Sequence, residues 1–172
     1  MVNGYLKQTV NHVVAESTNL VATEKGVHIF NVLADADTDN GKLVNLDDAV
    51  WVANEYFTQV APTATSRVGL VLSVPMGADE KPYALTLESA FYNEAGEIMR
   101  VYDLYKGDKF TVSANGITGS ANPAVGDYVE ANGYDIKDIG TSAGTKAFLG
   151  QIVEKINRGT AVFYKIVVRK NG

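Results

Sequence analysis

The chain has 172 residues, 46% of them hydrophobic, no cysteine, and a formal net charge of -5. That apolar content is enough to bury a core as one domain or as two small lobes, and the lack of cysteine removes disulfides, thiolate catalysis and cysteine-based zinc sites. The 15 basic residues are scattered rather than massed, which argues against gripping nucleic acid through its phosphates; no apolar run reaches the roughly 20 residues of a bilayer-spanning helix.

The N-terminus, MVNGYLKQTVNHVV, lacks the basic-then-apolar order of a signal peptide, so the expected site of synthesis and retention is the cytoplasm. Residues 1–25 are polar and weakly patterned, and read as an arm that orders on a partner, or as first strands. Residues 26–97 read as an N-terminal and central β lobe. Its first strand is GVHIFNVL, Gly26 to Leu33, in which His28 sits among apolar neighbours as a structural histidine. His12 is the other histidine.

Asp35, Asp37 and Asp39 then alternate ahead of Asn40-Gly41. Calcium takes several oxygen ligands, so these three are the metal candidates of the chain. A calcium loop, however, wants Gly where Asn40 stands and Glu where Leu46 stands, and the solvated hairpin loop is the preferred reading.

Leu46 to Phe57, LDDAVWVANEYF, is the one candidate helix, with Asn45 able to cap it and Asp47 and Asp48 in its first turn. Val50, Trp51, Val52, Tyr56 and Phe57 are also strand formers, so a short turn of helix followed by a strand fits nearly as well. APTATSR, Ala61 to Arg67, reads as a linker or crossover, VGLVLSV, Val68 to Val74, as an apolar strand, and Pro75 to Pro82 as a loop. Glu94 with Glu97 or Glu88 could flank a glycosidic bond, although loop acids are usually only solvated.

Residues 98–172 read as a C-terminal β-barrel-like lobe. Lys106 to Val112 and Val125 to Ala131 each place Gly-Asp ahead of an aromatic-led strand, a turn and strand-entry signal. Gly116 to Ser120 is a Gly-bearing loop without the Lys or the following helix of a phosphate cradle. Asn-Gly pairs at Asn3, Asn40, Asn115 and Asn132 are hairpin signals. The chain closes on a hairpin in which Gln151 to Ile156 pairs with a strand whose Val162, Tyr164, Ile166 and Val168 face one way and Phe163, Lys165, Val167 and Arg169 the other. The second face is expected to be the wetter. The fold class predicted is mainly β, as antiparallel sandwich or barrel-like lobes with at most one short helix.

No G-x-S-x-G and no His pair at helical spacing occurs, so neither a serine hydrolase elbow nor a metal hydrolase is written here. A non-enzymatic protein without a cofactor is expected. Tyr83, Tyr92, Tyr102, Tyr105 and Tyr134 are interface candidates, since a tyrosine offers apolar area with a polar tip.

Three stretches, GVHIFNVLADADTDNGKLVNL, APTATSRVGLVLSVP and MRVYDLYKGDKFTVS with its continuation through VGDYVEANGYDIKDIG, KAFLGQIVEK and FYKIVVRKNG, together resemble a family of small structural proteins of tailed bacteriophages infecting Gram-positive hosts. That family opens on G-H-[IL]-[FY]-N and D-x-x-N-G-x-L, continues with R-x-Y-x-L-x-x-G-D-x-F-x-V and V-G-x-Y-V, and closes on F-x-G-x-[IV]-[IV]-E-K. Here the elements fall at Gly26 to Leu43, Arg100 to Val112, Val125 to Val129 and Phe148 to Lys155, with Val27 separating Gly26 from His28. The resemblance implies a virion component on the capsid surface, a decoration or auxiliary head protein assembled in the host cytoplasm. Its implied partners are the major capsid protein and copies of itself, without direct contact to nucleic acid or membrane. The alternative is a tail or fibre component that binds a host-surface glycan through exposed tyrosines.

Overall fold

The computed structural model describes residues 12–16, 20, 29–47, 51–52, 56–74, 90–159 and 161–172. These form two six-stranded sheets, so the protein is mainly β. The first contains β1 (Ile29–Leu33), β2 (Leu43–Asn45), β3 (Trp51–Val52), β4 (Tyr56–Thr58), β5 (Val68–Val71) and β6 (Ile98–Asp103), in the order β2-β5-β6-β1-β4-β3. The second contains β7 (Lys109–Ser113), β8 (Ile117–Thr118), β9 (Tyr128–Asn132), β10 (Asp135–Gly140), β11 (Leu149–Arg158) and β12 (Ala161–Lys170), in the order β7-β12-β11-β9-β10-β8. Most neighbours are antiparallel, but β1 with β4 and β8 with β10 run parallel, so both sheets are mixed.

Four features decide between the sequence readings or depart from them. Over the candidate helix, Leu46 to Phe57, the strand alternative holds at the described positions: Trp51–Val52 and Tyr56–Thr58 pair as antiparallel strands, Trp51 opposite Phe57 and Val52 opposite Tyr56. Branched and aromatic side chains pack well on a pleated surface, and Phe57 is buried there against Val32 and its neighbours. Asn45 keeps its capping chemistry, accepting the Asp47 N–H at 2.9 Å, but as a turn rather than a helix start. The helical content among the described residues is a single 3-10 turn, Ala114–Gly116.

The strand Ile98–Asp103, grouped by sequence with the C-terminal lobe, lies between β5 and β1 in the first sheet. The chain passes to the second sheet only after it, through Leu104 to Asp108.

Residues 12–16, expected as part of a partner-dependent arm or of first strands, lie along β7. Ser113 N donates to Val14 O (2.8 Å), Glu16 N to Thr111 O (3.1 Å), and Val14 N to Ser113 Oγ (2.8 Å). Val13, Val14, Ala15 and Glu16 are all buried. A bare outer strand would present unpaired N–H and C=O groups, and this segment covers them.

Of the four Asn-Gly pairs among the described residues, Asn40-Gly41, Asn115-Gly116, Asn132-Gly133 and Asn171-Gly172, only Asn132-Gly133 belongs to a two-residue hairpin. Asn132 pairs with Asp135, so the loop is Gly133-Tyr134, entered at φ 58 on Gly133. Asn40-Gly41 leads into β2, which pairs with β5 and not with β1.

Two apolar clusters hold the sheets. Leu43, Val68 and Leu70 of the first sheet join Val112, Ile152, Tyr164 and Ile166 of the second in a shared core. Val32, Val44, Phe57, Val71, Met99 and Val101 form a separate cluster on the other face of the first sheet. Fully burying such a side chain is worth about 1.5–3 kcal/mol each. The ends of the first sheet approach one another, because Asn45 N of β2 donates to Val60 O just beyond β4 (2.9 Å).

Candidate interaction surface

The loop after β1 carries the three predicted aspartates, and the structure sends them to different tasks. Asp39 Oδ1 meets His12 Nδ1 at 2.8 Å and its Oδ2 accepts the Val13 N–H at 3.0 Å, so this carboxylate pins the start of the N-terminal segment. The His12 ring stacks on Tyr92 with centroids 5.0 Å apart. Asp37 Oδ1 accepts the Ala95 N–H at 3.1 Å. Asp35 is exposed and acts on Tyr134, whose phenol is pushed above its ordinary range by burial first and by the Asp35 charge second. Among the described residues no three metal-capable side chains converge.

Under this loop lies a buried polar layer. Thr38 and Asn93 exchange backbone hydrogen bonds at 2.8 Å in both directions, and Asn93 Nδ2 adds a bond to Thr38 O at 2.9 Å. Gln59 Oε1 accepts the Asp35 N–H at 3.0 Å. Asn40 lies against Ser73 as a strand neighbour would, its Nδ2 donating to Ser73 O (2.8 Å) and its Oδ1 accepting Ser73 N (2.9 Å). Each of these side chains satisfies backbone groups that burial would otherwise leave unpaired. Sequence reasoning missed this layer. Its signal was only that Thr38, Asn40, Gln59 and Asn93 sit in loop-like composition, which does not show burial.

Glu94 and Glu97 share one exposed turn, Glu97 Oε2 accepting the Glu94 N–H at 3.3 Å and Glu97 N donating to Glu94 O at 3.0 Å. They shape a loop tip tied to the aspartate loop by Ala34 N to Glu97 O and Gly96 N to Ala34 O. Glu88, Tyr83 and His28 lie outside the described residues. Tyr102 lies on β6, Tyr105 N is held by Asp108 Oδ2 in the turn before β7 (2.8 Å), and the Tyr134 carbonyl accepts Leu43 N (2.9 Å). All four described tyrosines of the predicted set are partly buried.

The least expected feature is the outward face of β1 and β6. Their register places Ile29 opposite Tyr102, Asn31 opposite Arg100 and Leu33 opposite Ile98, three rows on one face, while Val32, Met99 and Val101 point into the core. Leu72 N donates to Arg100 O, and Ser73 Oγ accepts Arg100 N, so Val74 runs on beside Ile98. Ile29, Val74 and Ile98 are each about half exposed (50%, 47% and 52%). Asn31, Ser73, Val74, Ile98 and Arg100 line an open groove of about 380 Å³. Strands with apolar side chains on both faces, such as IMRV, carry this signal in the sequence.

The arrangement offers an apolar face set around a cation, beside an acidic loop tip. No family model, no curated protein and no solved structure matches the chain, so the resemblance to phage structural proteins stands on its sequence elements alone.

Proposed function

We propose that this chain is a non-enzymatic virion structural protein that decorates a phage capsid, binding the major capsid protein and copies of itself. The reading is carried by the outward face of β1 and β6, where half-exposed Ile29, Val74 and Ile98 surround Arg100. Apolar groups around an arginine are the composition of protein-binding surfaces. The loop chemistry agrees: Asp37, Asp39, Asp108 and Asp127 each accept backbone N–H groups and so hold turns in place. A protein that works by surface complementarity needs such fixed loops. Imaging of virions that contain this chain tests the proposal. Dense, symmetric copies on the outer shell are expected, whereas a few copies in the tail would overturn it in favour of a host-binding tail component.

A further inference from the structure

We infer that Asn132, at the turn between β9 and β10, is a self-modification site: in the folded protein it loses its side-chain amide by cyclising onto Gly133, and yields aspartyl and isoaspartyl forms. The inference does not rest on the proposed function, and it holds or fails on the isolated protein. In the reaction the Gly133 backbone nitrogen gives up its proton and bonds to Asn132 Cγ. The Cγ–Nδ2 bond breaks, and ammonia leaves with the proton. Water then opens the cyclic imide. Opening at Cγ leaves an aspartate, whereas opening at the backbone carbonyl carries the chain through Cβ and Cγ as an isoaspartate. Asparagine is among the thermolabile residues, and a following glycine offers its nitrogen with no side chain in the way.

The structure decides which pair reacts, because ring closure needs a side-chain amide free to turn and a following N–H free to move. Asn40 is 5% exposed, its amide is held by Ser73 through both Nδ2 and Oδ1, and the Gly41 N–H is itself tied to Val71 O at 2.7 Å. The Asn171 amide donates to Val68 O and Leu104 O and accepts the Val68 N–H. Asn115 is exposed, yet its Nδ2 donates to His12 O (2.9 Å), its Oδ1 accepts Ser113 Oγ, and Gly116 behind it is buried against Val13. Asn132 differs on every count. It is exposed, and among the described residues its side chain has no hydrogen-bond partner. Gly133 is exposed as well, with open space on all sides of its Cα and no loop bond from its N–H among the described residues. The remaining pair, Asn3-Gly4, lies outside the described residues.

The site also reaches the seam between the sheets. Asn132 closes the hairpin opposite Asp135. The Tyr134 carbonyl accepts Leu43 N (2.9 Å) and Asp135 Oδ1 takes Lys42 Nζ (2.6 Å), both across to the first sheet. An aspartate at 132 sets like charges opposite one another, and an isoaspartate lengthens the backbone and shifts the register of the turn.

Ageing the purified full chain at mildly alkaline pH, with peptide mapping by mass spectrometry, tests this. Asn132 is expected to lose its amide at least about tenfold faster than Asn40, Asn115 or Asn171, since these must first open locally. In urea the four rates should converge, with Asn132 changing least on unfolding. Loss at any of the other three that keeps pace with Asn132 in the folded chain overturns the inference. So does an Asn132 that reacts many-fold more slowly folded than in urea, which would show that the hairpin holds it back. Hydrogen exchange at Leu43 should quicken in the aged fraction, and an unchanged rate there overturns the coupling to the seam.

Discussion

In the second sheet, β11 and β12 are ten residues each and pair from Arg158 opposite Ala161 back to Leu149 opposite Lys170, through two irregularities. In the first sheet the strands run from two to six residues, and side-chain amides continue the pairing where the strands stop. Asn40 on Ser73, Asn93 on Thr38 and Asn171 on Val68 all take this form, the last bonding both the Val68 N–H and its carbonyl at 2.8 Å. A long ladder satisfies its own backbone and leaves the side chains free to pack. A short one needs polar side chains inside the protein to satisfy the backbone at its ends. The two sheets should therefore fail differently when mutated.

The largest loss is expected in the second sheet. Tyr164 is 1% exposed in the shared core, and Tyr164→Ala should lower unfolding stability by about 3–5 kcal/mol in chemical denaturation. A loss under about 1 kcal/mol would show that the core is not what unites the sheets. Next comes the first sheet, where Asn40→Ala removes two bonds and leaves buried Ser73 groups unpaired. A cost of about 2–3 kcal/mol is expected, with hydrogen exchange at Ser73 quickened more than exchange in β12. Equal effects on both would mean that the polar layer is not local to the first sheet. The smallest effect belongs to the outer face of the closing hairpin. The Lys165 to Glu154 ion pair is solvent-facing, with side chains 32% and 52% exposed, and Lys165→Ala should cost only about 0–1 kcal/mol, less in high salt.

The closing hairpin is the part best read from sequence. Its alternation placed Tyr164, Ile166 and Val168 together, and all three are buried in the shared core. Lys165 and Arg169 do lie on the wetter face, yet Phe163 and Val167 beside them are 7% and 6% exposed. Strand periodicity separates two faces, but it does not show what lies over the second. The same limit explains β6. Its sequence reads as a strand, and nothing local distinguishes a place beside β7 from one between β5 and β1, because that choice is made by residues far away in the chain. The helical reading of Leu46 to Phe57 gave way to the strand alternative at the described residues for a related reason. Asn45 and the aspartates offered helix-start chemistry, and the Asx turn at Asn45 with the strands beyond it used the same residues otherwise. Of the candidate sites, the tyrosines and aspartates were visible as types, while their separation into different bonds was not.

Taken alone, the amino-acid order determined that this protein is built of strands, that its final hairpin has one apolar face, and that no cysteine chemistry is present, since these follow from residue type and period two. Only the tertiary structure decided which strands are neighbours, that Val13 to Glu16 cover the edge of β7, and that Thr38, Asn40, Gln59 and Asn93 are buried. It alone placed Ile98 and Arg100 outward beside Ile29 and Asn31. Burial and register between strands far apart in sequence arise from how the sheets close on one another, which no local pattern carries.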